Sequence, residues 1–222
     1  NAAVSGLGRS RLGQLALLEI VEAGKLPADA KFAAANALLG SADAAIRERA
    51  GKHLELPATA GAAPLPPIAE LVARKGEALR GREVFHGVGT CIKCHKVAGE
   101  GKEIGPDLSE IGGKLSREAM YVSILDPSAG ISHGYENYGV FLASGNVVTG
   151  LMPSRTDAEV TIRTAEGIDR TFSMEEVDEI IKQEVSLMPA DLQKLMTVEQ
   201  LVDVVEYLTT LKAAEGSTAG TP

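Results

Sequence analysis

The sequence predicts a mainly helical protein with a small antiparallel β insert and a helical extension at its N-terminus. Three observations carry this. Apolar residues recur every three or four positions in several stretches on both sides of residues 136–173. Within 136–173 the period drops to two. A run rich in Pro, Ala and Gly at 57–67 divides the first helices from the rest. The division that follows is an extension over 1–56, resembling the end of a helical-repeat region or a simple cap, a semi-stiff linker over 57–67, and a main domain over 68–212. A β-rich insert at 134–182 interrupts that domain, and 213–222 reads as a flexible tail.

The elements follow in order. Residues 10–22 read as an amphipathic helix with Leu12, Leu15, Leu18 or Ile20, and Val21 on one face, stopped by Gly24 and Pro27. Residues 28–39 are an alanine-rich helix with Phe32, Ala35, Leu38 and Leu39 inward. Ser41 to Asp43 caps a third helix over 43–54. In the main domain, Ile68, Leu71 and Val72 begin a short apolar face, and 76–85 continues as a helix with Leu79, Val84 and Phe85 near one side. Gly81 weakens that helix unless another crosses it closely. Ser116 caps a helix running to Leu125 that Asp126-Pro127 ends. About four short strands fill 136–173, with turns at Ser144-Gly145-Asn146 and Ala165-Glu166-Gly167. Residues 174–182 read as a helical or mixed piece. Thr197 and Gln200 form a capping box for a final helix over 197–211, which is the one to cross Gly81 and Phe85.

The chemistry concentrates at Cys91-Ile92-Lys93-Cys94-His95, which holds the only two cysteines of the 222 residues. A C-x-x-C-H run is the attachment site of a c-type haem. Two thiols three residues apart can each form a thioether to a vinyl group, and the next residue brings an imidazole to the iron. The alternatives are a zinc site and a free dithiol or disulfide. A zinc site lacks a second Cys/His cluster, because His53, His86 and His133 are scattered. A thioredoxin-like dithiol lacks the strand before it, since Gly87, Gly89 and Thr90 stand there. Aromatic residues make up only 4% of the chain, with no Trp, and a haem would add a large flat apolar piece to such a core.

Downstream, the Pro106 carbonyl can accept from the second ring nitrogen of His95, which fixes the ring and raises its basicity. An ordinary Gly-Pro turn is the alternative. Leu108 and Ile111 are candidates to pack at the haem edge. A thioether is a soft ligand that raises the potential of haem iron opposite His. Met120, Met174 and Met196 fall in or beside amphipathic helices and read as core. Met152 and Met188 each precede proline. Met188 lies in a loop before the last helix and is the preferred sixth ligand, with Met152, His133, His86 and an open site as alternatives.

Taken together, the helix with Gly81 and Phe85, CIKCH at 91–95, Gly105-Pro106-Asp107-Leu108, Met188-Pro189 and the last helix with Val204 and Tyr207 resemble a class I cytochrome c. That resemblance implies a crossing of Gly81 and Phe85 with Val204 and Tyr207, one covalent haem c, and His95 and Met188 as axial ligands. A narrower likeness covers about 75–211. The run ILDPSAGISHGYENYGVFLASGNVVTGLM at 124–152 and SLMPADLQKLMTVEQLVDVVEYL at 186–208 resemble the haem-binding domain of the Pirellula–Verrucomicrobium type. It implies a domain that often ends large exported proteins carrying a dehydrogenase-like β-propeller and helical repeats. Met152 departs from that pattern, standing where a non-ligand aliphatic is common.

The function expected is one-electron transfer through haem c bound at Cys91, Cys94, His95, Pro106, Leu108, Ile111 and Met188, with iron held by His95 and Met188. By itself the domain is a carrier and not an enzyme, fed by a redox protein or a fused dehydrogenase domain. A haem sensor or peroxidase-like enzyme would need an open or labile sixth site. A docking module would use the insert to hold a partner. No Ser-His-Asp set is recognisable. The net charge of −8 without a basic run makes nucleic acid and anionic membrane poor partners, and no 18-residue apolar run spans a membrane. Asn1 in place of Met implies a removed signal or a piece of a longer chain. Attachment of haem to thiols implies a periplasmic or otherwise exported protein.

Overall fold

A computed structural model describes residues 2–213 of the chain; the stretch 214–222 of the expected tail lies outside the described residues. The fold is mainly α with an antiparallel β insert, as the two hydrophobic periods require. Four helices come first: α1 (Ala2–Gly8), α2 (Arg11–Glu22), α3 (Lys31–Leu39) and α4 (Ala44–Ala50). Ser10 caps α2 by accepting from the Gly13 N–H, and Asp43 caps α4 by accepting from Ala45. Their own core is Leu17, Leu18, Val21, Ala34, Leu38, Ile46 and Ala50. Leu12 is 80% exposed, against expectation. The helical period places it on a face but cannot say how wide a stripe the neighbours cover. Helix α1 was not foreseen, because Ala-Gly-Ser composition gives no periodic signal.

The run over 57–67 packs back on the main domain. Leu65 is buried in its core, the Ala60 N–H donates to the Met196 carbonyl at 2.8 Å, and Ala58 bridges Pro64. Phe32 packs against the same core, and the Asn36 side chain accepts from the Ile68 N–H at 2.9 Å. The helical extension is thus joined to the main domain by side chains as well as by chain.

The main domain holds α5 (Ile68–Ala73), α6 (Ala78–His86), a four-residue α7 (Ile111–Lys114), α8 (Arg117–Leu125) and α9 (Val198–Thr210). Its core is built around Leu71, Phe85, Met120, Tyr121, Leu201 and Val205. Helices α6 and α9 cross at Gly81, where a methyl group would stand 1.9 Å from the Asp203 carbonyl oxygen and 2.8 Å from Tyr207 Cβ. Only glycine admits that approach. Beside the crossing, Phe85 meets Tyr207 edge to face, with ring centroids 5.7 Å apart. The carboxylate of Asp203, 4% exposed, accepts from the Glu77 N–H at 2.7 Å and from Arg80 Nε at 2.7 Å. Leu79, expected inward, is 75% exposed, because α6 offers α9 only the Gly81–Phe85 side.

A short hairpin of β1 (Lys96–Val97) and β2 (Glu100–Gly101) follows the motif. The insert is β3 (Tyr138–Leu142), β4 (Val147–Arg155), β5 (Glu159–Arg163), β6 (Asp169–Ser173) and β7 (Val177–Lys182). They form one antiparallel sheet in the order β6-β5-β4-β3-β7. Val140, Val148, Val160 and Ile162 make its buried face. The stretch 174–182, read as helical or mixed, is the mixed alternative: one 3-10 turn and then a strand. A capping box of Ser173 and Glu176 closes only Met174–Glu176, and β7 then pairs with β3, with Val140 opposite Ile180. Long-range pairing overrides local propensity there. Among the described residues no helix is long and apolar enough to cross a membrane.

Candidate functional site

The last turn of α6 ends at His86, and Thr90, in left-handed conformation (φ 55°), turns the chain into a 3-10 turn over Cys91–Lys93. That turn is closed by the Cys94 and His95 N–H groups, both donating to the Cys91 carbonyl at 3.1 and 2.9 Å. Both thiols and the imidazole are therefore set by one turn of backbone. Cys91 is packed against the helical core, and burial pushes its thiol up to about 11. Burial also raises Cys94, against nearby Lys102 and Lys93. Neither is the low-pKa thiolate that a dithiol oxidoreductase uses.

His95 is the most constrained of these side chains. Its Nδ1 lies 2.8 Å from the Pro106 carbonyl oxygen. Proline has no N–H to compete, and the carbonyl can only accept, so Nδ1 carries the proton and Nε2 is the nitrogen left to bind a metal. Gly105 lies against the ring: a Cβ there would stand 2.5 Å from Cε1 and 2.8 Å from Nδ1. Burial lowers the pKa of the ring, partly offset by the bond to Pro106, which favours the neutral ligand form. The Ile104 and Gly105 N–H groups both donate to the Cys94 carbonyl, at 3.0 and 2.8 Å, so the loop is tied back to the motif.

Leu108 and Ile111 are half-buried and pack against the helical core together with Cys91 and Ile92. Met188 stands in the loop between β7 and the 3-10 turn at Leu192–Leu195, and its side chain is half-buried. Its N–H donates to Ser186 Oγ at 3.1 Å, and the Ser186 N–H donates to Ser128 Oγ at 3.0 Å. Met120 and Met196 are 2% and 1% exposed in the helical core, while Met152 and Met174 pack against the core of the sheet. Met188 belongs to none of the hydrophobic clusters formed by the described residues. His133 is fully exposed, and His86 has Nδ1 2.8 Å from the Arg82 carbonyl oxygen within its own helix. Among the described residues no group of three or more His, Cys, Asp or Glu is placed to hold a metal ion, so Cys91, Cys94 and His95 do not form a zinc cage.

The donor set fits a haem held by two thioethers and one imidazole: two neutral, half-buried sulfurs on one turn and a ring with Nδ1 already committed. Sequence reasoning missed the role of Gly105 and the Cys94 carbonyl in seating the ring. The only signal was the unexplained glycine before Pro106.

Helices α6 and α9 crossing at a glycine, with a C-x-x-C-H turn after α6, define a small electron-transfer domain of class I cytochrome c type. The family model described as Cytochrome c matches residues 78–212, and the chain belongs to the cytochrome c family. No curated protein matches the chain.

Proposed function

We propose that the protein carries single electrons through one haem c, attached at Cys91 and Cys94 and held axially by His95 and Met188. The observation that carries this reading is the seating of His95. Its ring is locked by the Pro106 carbonyl and by Gly105, on the same turn that presents both sulfurs. The bound group supplies a one-electron iron couple, and the protein sets its potential and access. Pro106 holds the Nδ1 proton and keeps the imidazole basic. Leu108 and Ile111 exclude water at the edge of the site. Met188 is the methionine left outside the core clusters, on a loop that two serine hydroxyls hold by its backbone. Neutral sulfur supplied by Met188 would favour the reduced iron and so a higher potential.

The narrower reading is a domain of the Pirellula–Verrucomicrobium type, exported to the periplasm or beyond. Electrons would come from a redox protein or a dehydrogenase domain, within the same polypeptide where the chain is part of a longer one. Support for this lies in the sequence runs at 124–152 and 186–208 and in the five-stranded insert, which begins within the first run and ends before the second.

The test is the absorption spectrum of oxidised and reduced protein with a pyridine haemochrome assay. One covalent haem and a weak sulfur-to-iron band are expected, and Met188→Ala is expected to abolish the band and lower the potential. Rapid carbon monoxide binding by the unaltered ferrous protein at neutral pH would replace the carrier by a sensor or peroxidase-like function.

A further inference from the structure

We infer that the β5–β6 hairpin of the insert is a clamp on the loop that seats His95, so that Arg163 and Gly167 are positioning residues for the haem ligand. This rests on the haem reading above.

Three contacts join the hairpin to the loop. Arg163 Nε and Nη2 bind the two carboxylate oxygens of Asp169 at 2.7 and 2.8 Å, which orients the guanidinium across the hairpin. Its Nη1 then reaches the Glu103 carbonyl oxygen at 3.4 Å. At the turn, Lys102 Nζ donates to the Glu166 carbonyl oxygen at 3.4 Å. Gly167, with φ +81°, lies over Ile104: a Cβ there would come within 3.2 Å of Ile104 Cδ1. Ile104 is 6% exposed. Residues 102–104 therefore face the hairpin. The Ile104 and Gly105 N–H groups hold the Cys94 carbonyl, and Gly105 and Pro106 hold the ring of His95. Beside the hairpin, a cavity of about 350 Å³ is lined by Glu103, Asp107, Tyr135 and Arg163. The clamp is a discrete contact at one place.

Loosening the clamp frees the 102–106 loop. The His95–Pro106 hydrogen bond weakens, the imidazole becomes less basic, oxidised iron is less favoured, and the potential rises. The experiment uses the full chain with haem bound, in Arg163→Ala and Gly167→Val. Arg170→Ala, on the same hairpin over the Phe172 ring, serves as control. Two readouts are taken: the midpoint potential, and hydrogen exchange at the Ile104 and Gly105 amides. Both test variants are expected to exchange about tenfold faster at these two amides and to shift to higher potential, with the control unchanged. Unchanged exchange in both variants overturns the clamp. Faster exchange with an unchanged potential overturns its transmission to His95. If the unaltered protein holds no covalent haem, the proposed function fails instead, and amide exchange together with the His95 Nδ1 proton signal of the haem-free protein still decides the clamp.

Discussion

His95 and Met188 are held in opposite ways. The surroundings of His95 are local: the Cys91 carbonyl, the Cys94 carbonyl, Gly105 and the Pro106 carbonyl all lie within 15 residues of one another in sequence. Met188 is held by its backbone, through Ser186 and then Ser128, 58 residues away. The seat of His95 is built within one short stretch of chain; the Met188 loop is tied to Ser128, just beyond α8. The difference teaches that the seat of His95 is closed mainly by near neighbours in sequence, with the β5–β6 hairpin its distant support, whereas the Met188 loop depends on a distant residue from the start.

The largest expected effect breaks the α6–α9 crossing. Gly81→Ala drives a methyl into the Asp203 carbonyl and should cost about 3 kcal/mol or more, read by urea unfolding, with both ligands lost together. Gly105→Ala acts on one side only. A methyl 2.5 Å from His95 Cε1 should displace the ring, cost about 1–3 kcal/mol and perturb the haem spectrum. The amides near Ser186 should keep their exchange rates.

The third test concerns pH. Burial raises the pKa of Asp203, but the hydrogen bonds from Arg80 and the Glu77 N–H outweigh it and hold the carboxyl below its ordinary value. A carboxyl depressed in the folded state stabilises above its unfolded pKa, and the contribution is lost as pH falls through the folded value, below about 4. Asp203→Asn should flatten the acid limb of a stability-against-pH curve. The smallest effect is Ser186→Ala. Loss of the bond to the Met188 N–H should cost about 0.5–1.5 kcal/mol and speed carbon monoxide binding to ferrous protein, while His95 signals stay put. If Ser186→Ala and Gly105→Ala gave the same spectral change, the two seats would not be separate.

The same contrast explains what was legible in the sequence. The Thr197–Gln200 capping box, the Ser116 cap and the Gly81 crossing rest on local chemistry or on one residue type, and the structure places them where the residues indicate. The C-x-x-C-H turn is local as well, and its seat at Pro106 is 11 residues on. What was not legible depends on distant partners. Strand β7 carries acidic residues that read as helix and becomes strand only against β3. Leu65 and Ala60 sit in a stretch whose composition reads as a spacer, yet they meet Met196 and the helical core. Leu12 and Leu79 lie on helices whose neighbours are narrower than the apolar stripe.

The entry and exit of the sheet lie side by side: the Gln183 N–H donates to the Asn137 carbonyl at 2.8 Å. The chain thus leaves the helical body and returns to it through one narrow gate. Closing a loop depends only weakly on how much chain it contains. A lineage could lengthen or exchange the parts of the module away from the β5–β6 hairpin without retuning the helices around it. The gate is also a natural place to splice in a reporter or a second domain.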